Sequence, residues 1–169
     1  RNNPKLQKLL INMGGIDSDN ITESILTQLC QSNLSKDTTV KVVMGSNSPH
    51  LESVKSKSKD MPFSTEVLVE VEDMAKLMAQ SDLAIGASGS TTWERCCLGL
   101  PSIQIVTAEN QENLAEKLAK DFRRFGIQPY IPGDYSRGNN EEEEDEGKKS
   151  STFKGALGRG LMSLLAKAF

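Results

Sequence analysis

The sequence has no long apolar run, and this absence excludes several classes of protein. A membrane-spanning helix needs roughly 20 consecutive apolar residues, and no window of the chain provides them, so we expect no membrane span. The opening residues, RNNPKLQKLL, lack the apolar core of a signal peptide. They also lack an initiator Met, so we interpret the chain as a fragment or a processed product of a longer protein.

Histidine and cysteine are scarce. His50 is the only histidine, and the three cysteines, Cys30, Cys96 and Cys97, form no Cys-x-x-Cys pair. These residues do not indicate a metal site, and we predict no metal or cofactor. We expect three reduced, half-buried thiols in a cytoplasmic protein. Because His50 has no carboxylate partner at a recognisable spacing, we expect it at the surface and assign no catalytic residue.

An excess of positive charge is also absent. The 169 residues include 20 Lys and Arg and 23 Asp and Glu, so the net charge is −3. Nucleic acid and anionic lipid are therefore not predicted as the main partners. The Walker pattern Gly-x-x-x-x-Gly-Lys-Ser is missing, and Gly-x-Gly-x-x-Gly does not follow the first predicted strand. Two familiar phosphate-binding loops are thus excluded.

Short apolar runs alternate with helical patterns over the first 131 residues. This alternation predicts βαβ units, and hence an α/β, Rossmann-like parallel sheet with helices on both faces. We expect Asp73 to cap the third helix and Gly99 to end the fourth. The predicted strands cover residues 8–13, 38–44, 64–71, 82–87 and 101–106, and the predicted helices cover residues 17–30, 49–58, 74–81, 90–100 and 109–126.

The composition changes after the predicted domain of residues 1–131. Residues 132–151 include six consecutive acids, Glu141–Glu146, and few apolar residues, which predicts an acidic flexible linker. Residues 152–169 regain apolar side chains at helical spacing and predict a C-terminal amphipathic helix. We expect this helix to dock on the body or on a further domain, and a membrane-surface helix stays open as an alternative.

Small residues follow three of the predicted strands, at Gly14-Gly15, Gly45-Ser46 and Ser88-Gly89-Ser90. In parallel sheets, ligands bind at the carboxyl ends of the strands. The unpaired N–H groups of a helix start, together with the hydroxyls of Ser90 and Thr91, suit a phosphate. The alternative is an ordinary capped turn, with Gly for the bend and Ser or Thr as the N-cap.

Two further groups of polar side chains stand near predicted helix starts. Glu94 can accept hydrogen bonds from two vicinal hydroxyls, such as a ribose offers, or it can simply complement the helix dipole. Asn110 and Gln111 open the helix after the fifth strand, and their amides suit a neutral sugar because they both donate and accept. Helix capping by Asn110 is the alternative role.

The run GASGSTTWERCCLGLP, residues 86–101, carries a specific resemblance. It is similar to the C-terminal half of the UDP-sugar hydrolase family of the pseudaminic acid pathway, which belongs to the GT-B superfamily and is close to the N-acetylglucosaminyl transferase of peptidoglycan synthesis. LINMGGIDSDN, residues 10–20, also resembles the segment that opens this domain in the family. The resemblance covers about residues 5–128, and Ser88 stands where the family often has Gly.

The resemblance implies a GT-B C-terminal domain that binds a UDP-linked 2,4-diacetamido-2,4,6-trideoxy sugar. In the family a His of the N-terminal domain activates the water, so this chain is expected to bind the nucleotide and to do little chemistry alone. We expect Trp93 to pack its helix on the sheet. The implied contacts are the diphosphate with Gly14, Gly15, Ser88, Gly89, Ser90 and Thr91, the ribose with Glu94, the uracil with backbone groups from Val71 to Met74, and the sugar or phosphates with Asn110 and Gln111.

Three functions stay open at this point. The favoured one is the UDP-binding half of a UDP-sugar hydrolase or glycosyltransferase in surface glycan biosynthesis of the nonulosonic acid type, with the base supplied by an N-terminal domain or a partner chain. The second is a non-catalytic or regulatory nucleotide-sugar-binding subunit that pairs with a partner catalytic chain. The third is an unrelated α/β domain that has capped turns and binds no nucleotide.

Overall fold

The computed structural model of the chain describes residues 5–107. Strands and helices alternate throughout this part, as the sequence predicts, and none of its helices has the length and apolarity that crossing a membrane requires. Asn110, Gln111, the predicted helix 109–126, the acidic linker and the C-terminal helix lie outside the described residues. In chain order the elements are β1 (Lys8–Asn12), α1 (Ile21–Cys30), β2 (Thr39–Met44), α2 (Leu51–Lys59), β3 (Thr65–Val69), α3 (Met74–Ala79), β4 (Leu83–Ala87), α4 (Thr91–Cys97) and β5 (Ser102–Ile105).

The five strands form one sheet in the order β3-β2-β1-β4-β5, and every pair is parallel. This arrangement confirms the predicted α/β, Rossmann-like class. The chain builds outward from β1 to β3, crosses back to the other side of β1 to form β4, and continues outward to β5. The strand order therefore reverses between β1 and β4, which is the position where open α/β sheets hold their ligands.

Apolar cores cover both faces of the sheet. Alternate residues of β1 belong to different cores, because successive side chains of a strand point to opposite faces. Leu9 and Ile11 join one cluster with residues of α1 and α2, while Leu10 joins the other with residues of α3. The predicted placement of helices on both faces is thus confirmed.

The ends of the helices follow the local sequence. The Asp73 carboxylate accepts a hydrogen bond from the Lys76 N–H at 2.8 Å, which confirms the predicted cap of α3. Gly99 adopts a φ of 62° just after α4, as predicted for a helix-ending glycine. At the start of α1, the Asp17 carboxylate accepts from the N–H groups of Ile21 and Thr22, both at 2.9 Å.

Two predictions about α4 and the cysteines are wrong. Trp93 is 55% exposed and does not pack α4 on the sheet, because the inward face of this short helix is taken by Thr92 and Arg95. All three cysteines are exposed, not half-buried. Cys96 and Cys97 are the last two residues of α4, and Cys30 is the last residue of α1.

Candidate functional site

The loops that follow β1 and β4 leave the sheet side by side at the switch point. The register pairs Asn12 of β1 with Gly86 of β4, so these two strands reach the carboxyl edge of the sheet together. The structure therefore brings the predicted phosphate-binding segments Gly14-Gly15 and Ser88-Gly89-Ser90 to one place. Neighbouring strands lie only about 4.8 Å apart, which is close enough for one diphosphate to touch both loops.

The glycines of these loops border open space. A Cβ built on Gly14, Gly15 or Gly89 would meet nothing within 4 Å. Gly14 also has a φ of 95°, a conformation that other residues rarely adopt. Backbone conformation therefore explains the glycine at position 14. Neither packing nor a positive φ explains Gly15 and Gly89, whereas the close approach of a ligand to the backbone would explain them.

The loop after β1 is held in shape by the loop after β2. The Ser48 hydroxyl donates to the carbonyl of Ile16 at 2.8 Å, although the two residues are 32 positions apart. A Cβ on Gly45 would collide with the carbonyl oxygen of Gly15, so only glycine fits there. The segment Gly14–Ser18 is thus preorganised by contacts from a neighbouring strand end, which the sequence did not reveal.

His50 takes part in the same support. Its Nε2 lies 2.9 Å from the carbonyl oxygen of Ser18, and the proton of this hydrogen bond stands on Nε2 because a carbonyl can only accept. The side chain is partly exposed, in line with the predicted surface position. Within residues 5–107, no group of three or more His, Cys, Asp or Glu residues could hold a metal ion.

The hydroxyls after β4 differ in their surroundings. Ser90 stands at the N-cap position of α4, is exposed and makes no side-chain capping bond, so it does not fill the purely structural role that the sequence left open. Ser88 is 1% exposed, and its hydroxyl donates to Oε1 of Gln104 at 2.7 Å. The hydroxyl of Thr91 accepts from Arg95 at 3.2 Å. Ser90 therefore presents the most accessible hydroxyl of the loop.

Glu94 is exposed in the first turn of α4. It follows Ser90 by four residues, and such pairs share one side of a helix. The residues predicted to bind the ribose and the diphosphate, Glu94 and Ser90, therefore lie on the same side of α4. Trp93, next to Glu94, extends this exposed surface with a large apolar ring.

The predicted uracil segment follows β3 at the same carboxyl edge of the sheet. Val71 and Met74 are partly buried and pack against the core cluster that contains Leu10. Their side chains are thus occupied by packing. A base at this segment would meet backbone groups, as the resemblance implies.

Arg95 is the residue that the sequence analysis missed. It is 1% exposed, and its Nη2 donates to the carbonyl of Ala87 at 2.9 Å and to the hydroxyl of Thr92 at 3.0 Å. Burial lowers the pKa of the Arg95 guanidinium from its usual value. The glycine at position 86, inside a predicted strand, is the one feature of the sequence that reflects this buried side chain. A Cβ at Gly86 would lie 2.5 Å from Nη1 of Arg95.

The sequence is similar to known proteins over most of its length. The chain is 33% identical over 113 residues to the spore coat polysaccharide biosynthesis protein SpsG of Bacillus subtilis (strain 168), which covers 67% of this chain and 33% of SpsG. It is 26% identical over 133 residues to an uncharacterised protein of Methanocaldococcus jannaschii, covering 78% of this chain and 27% of that protein. The chain thus spans about a third or less of the length of these curated relatives.

The fold and the family are shown by two further matches. The crystal structure of WaaG, a glycosyltransferase involved in lipopolysaccharide biosynthesis, superposes with a TM-score of 0.56 at 15% identity, covering 95% of this chain and 41% of that one, and supports the fold. Residues 9–135 match the family described as glycosyltransferase family 28 C-terminal domain. Since this match covers well over half of the sequence, the chain belongs to the glycosyltransferase family 28 C-terminal domain family.

Proposed function

We propose that this domain binds the nucleotide half of a UDP-sugar and forms part of an enzyme of surface polysaccharide biosynthesis. One observation carries the proposal: two glycine-containing loops border open space side by side at the switch point of a glycosyltransferase-family domain. The similarity to SpsG, which is named as a spore coat polysaccharide biosynthesis protein, supports the biosynthetic setting.

The diphosphate is assigned to the two loops. Gly14 and Gly15 approach it from the β1 side, and Gly89, Ser90 and Thr91 approach it from the β4 side. Backbone N–H groups and the exposed Ser90 hydroxyl are the donors, apart from the Gly14 N–H, which donates to Oδ1 of Asn12 at 3.3 Å. When the bond between C1 of the sugar and the β-phosphate oxygen breaks, the electron pair leaves with UDP, and these donors stabilise the added negative charge.

Ser88 has a different part in this proposal. Its buried hydroxyl donates to Gln104, and its backbone N–H donates to the carbonyl of Ile105 at 3.0 Å. A direct contact with the diphosphate would require the side-chain bond to break. We therefore assign Ser88 to the shape of the loop, with the phosphate contacts on the residues that follow it.

The nucleoside is assigned to two exposed features of the same edge. The Glu94 carboxylate accepts one hydrogen bond from each of the two ribose hydroxyls, because an ionised carboxylate offers two acceptor oxygens. Backbone groups between Val71 and Met74 read the uracil. The sugar itself is assigned to Asn110 and Gln111, beyond the described residues, and to the domain that faces this one.

Two reactions share the bond cleavage and differ in the acceptor. Water gives a UDP-sugar hydrolase, and a hydroxyl of a second sugar gives a glycosyltransferase. Our finer proposal is the hydrolase of the pseudaminic acid pathway type, supported by the motif of residues 86–101, with the catalytic base in an N-terminal domain or a partner chain. A regulatory subunit that binds the same nucleotide sugar is the alternative.

The proposal is tested by titration calorimetry of the full-length protein with UDP, UMP and ADP. We expect UDP to bind more tightly than ADP, and Glu94→Ala to weaken UDP binding by about tenfold or more, since hydrogen bonds to charged groups contribute about 1.5–3 kcal/mol each. Glu52→Ala removes another exposed first-turn carboxylate, on α2, and serves as the matched control. Equal UDP affinities in wild type and Glu94→Ala would remove the ribose assignment, and no nucleotide binding at all would refute the function.

A further inference from the structure

Arg95 carries a charge in a place where charges are costly. It is the largest fully buried side chain in residues 5–107, at 1% exposure. Arginine is almost never fully buried unless it is paired with an opposite charge. The guanidinium stays protonated at neutral pH even though burial lowers its pKa, because the ordinary value is far above 7.

No carboxylate within the described part of the chain forms an ion pair with Arg95. The ion pair found there is Lys55 with Glu52, on α2. The groups that Arg95 contacts are neutral: the hydroxyls of Thr91 and Thr92 and the carbonyl of Ala87. Its Nε has no hydrogen-bond partner. The charge is therefore solvated by dipoles and forms no ion pair with a described residue. The neighbouring Glu94 carboxylate attracts it through space, but Glu94 is exposed to solvent, which weakens that attraction.

The guanidinium lies under the candidate diphosphate loop. One of its contacts is the carbonyl of Ala87, the last residue of β4, and another is the hydroxyl of Thr91, the first residue of α4. The three residues between these two anchors are Ser88, Gly89 and Ser90. A single buried cation thus fastens both ends of the loop to which we assign the diphosphate.

We propose that Arg95 is a positioning residue whose positive charge, which forms no ion pair within residues 5–107, is balanced by the diphosphate of the bound UDP-sugar. This inference rests on the proposed function. Charges interact strongly over several ångströms where the surroundings are poorly polarisable, so a buried cation attracts an anion across one layer of backbone. A carboxylate bonded directly to the guanidinium would cancel that attraction. Among the described residues, the guanidinium is instead bonded to two hydroxyls and a carbonyl.

The proposal predicts an effect that grows with the charge of the ligand. A purely structural arginine would alter the binding of uridine, UMP and UDP alike, because all three need the same folded loop. An electrostatic role leaves uridine binding nearly unchanged, weakens UMP binding, and weakens UDP binding most. The ratio of UDP affinity to uridine affinity is therefore the diagnostic quantity.

The experiment measures this ratio by titration calorimetry on the full-length protein. Arg95→Met removes the charge, Arg95→Lys keeps it, and Lys55→Met, which removes a partly exposed charge on α2, is the control. We expect Arg95→Met to lower the ratio of UDP affinity to uridine affinity by about tenfold, which corresponds to about 1.4 kcal/mol of binding free energy made with UDP but not with uridine. We expect Arg95→Lys to keep most of the wild-type ratio. A folded Arg95→Met with the wild-type ratio would overturn the inference.

A second measurement needs no variant and covers the case in which Arg95→Met does not fold. The Nε–H signal of Arg95 in the wild-type protein is followed by NMR during addition of uridine and of UDP. We expect UDP, but not uridine, to shift it. If the amide signal of Gly89 moves with UDP while the Arg95 signal does not, the inference is refuted although UDP binds. If wild type binds no UDP, the proposed function itself fails.

Discussion

Replacing Gly86 by alanine tests how tightly the sheet and the buried arginine depend on each other. Gly86 lies in β4, where an added Cβ would stand 2.5 Å from Nη1 of Arg95 and 3.0 Å from the carbonyl oxygen of Asn12. The first distance is far inside van der Waals contact. Because the strand is paired on both sides, the guanidinium has to move.

The expected loss of stability follows from the contacts that this movement disturbs. Overpacking a core costs about 1–3 kcal/mol. Weakening one of the hydrogen bonds of the Arg95 guanidinium adds about 1.5–3 kcal/mol, because hydrogen bonds to charged groups are the strong ones. The lower chain entropy of unfolded alanine offsets about 0.4–1 kcal/mol. The net loss in the free energy of unfolding is about 2–5 kcal/mol.

Urea unfolding of Gly86→Ala, Arg95→Met and the double variant checks this reasoning. If the clash is with Arg95, the cost of Gly86→Ala falls by about 1 kcal/mol or more in the Arg95→Met background, as expected for side chains in contact. An equal cost in both backgrounds would refute the reasoning and place the conflict at the Asn12 carbonyl.

Two further predictions concern the loops and the thiols. Gly45→Ala is expected to lower the free energy of unfolding by about 1–3 kcal/mol, because its Cβ collides with the Gly15 carbonyl. Gly89→Ala places its Cβ in open space, so it should change the free energy of unfolding by about 0.5 kcal/mol or less while weakening UDP binding. Urea unfolding and calorimetry measure both, and an equally destabilised Gly89→Ala would contradict the open site. Cys30, Cys96 and Cys97 are all exposed, so a thiol reagent should modify three thiols in the native protein, and a thiol that reacts only after unfolding would count against the described surface.

The positions of the elements could be predicted because they depend on local pattern. Each strand is a short apolar run ended by small or polar residues, and α1 and α3 carry apolar side chains on one side. The predicted ends agree with the structure to within a few residues, and the caps at Asp73 and Gly99 follow from side-chain and backbone chemistry at single positions.

The side chains of α4 show where local pattern fails. Trp93 is the most apolar residue of its helix and was expected to face the sheet, but the inward positions belong to Thr92 and Arg95. Helical spacing indicates which residues share a face, whereas the orientation of that face is decided by the strand beneath it. A glycine in that strand leaves the space that the arginine fills.

The sequence by itself determined the α/β alternation, the parallel sheet and the small-residue loops at the strand ends, because these follow from local apolar patterns and turn chemistry. Only the tertiary structure decided that β1 lies beside β4, that the loop after β2 supports Gly15 and Ser18, and that Arg95 is buried under the loop at Ser88–Ser90. These features depend on contacts between residues far apart in the chain, which no local pattern records.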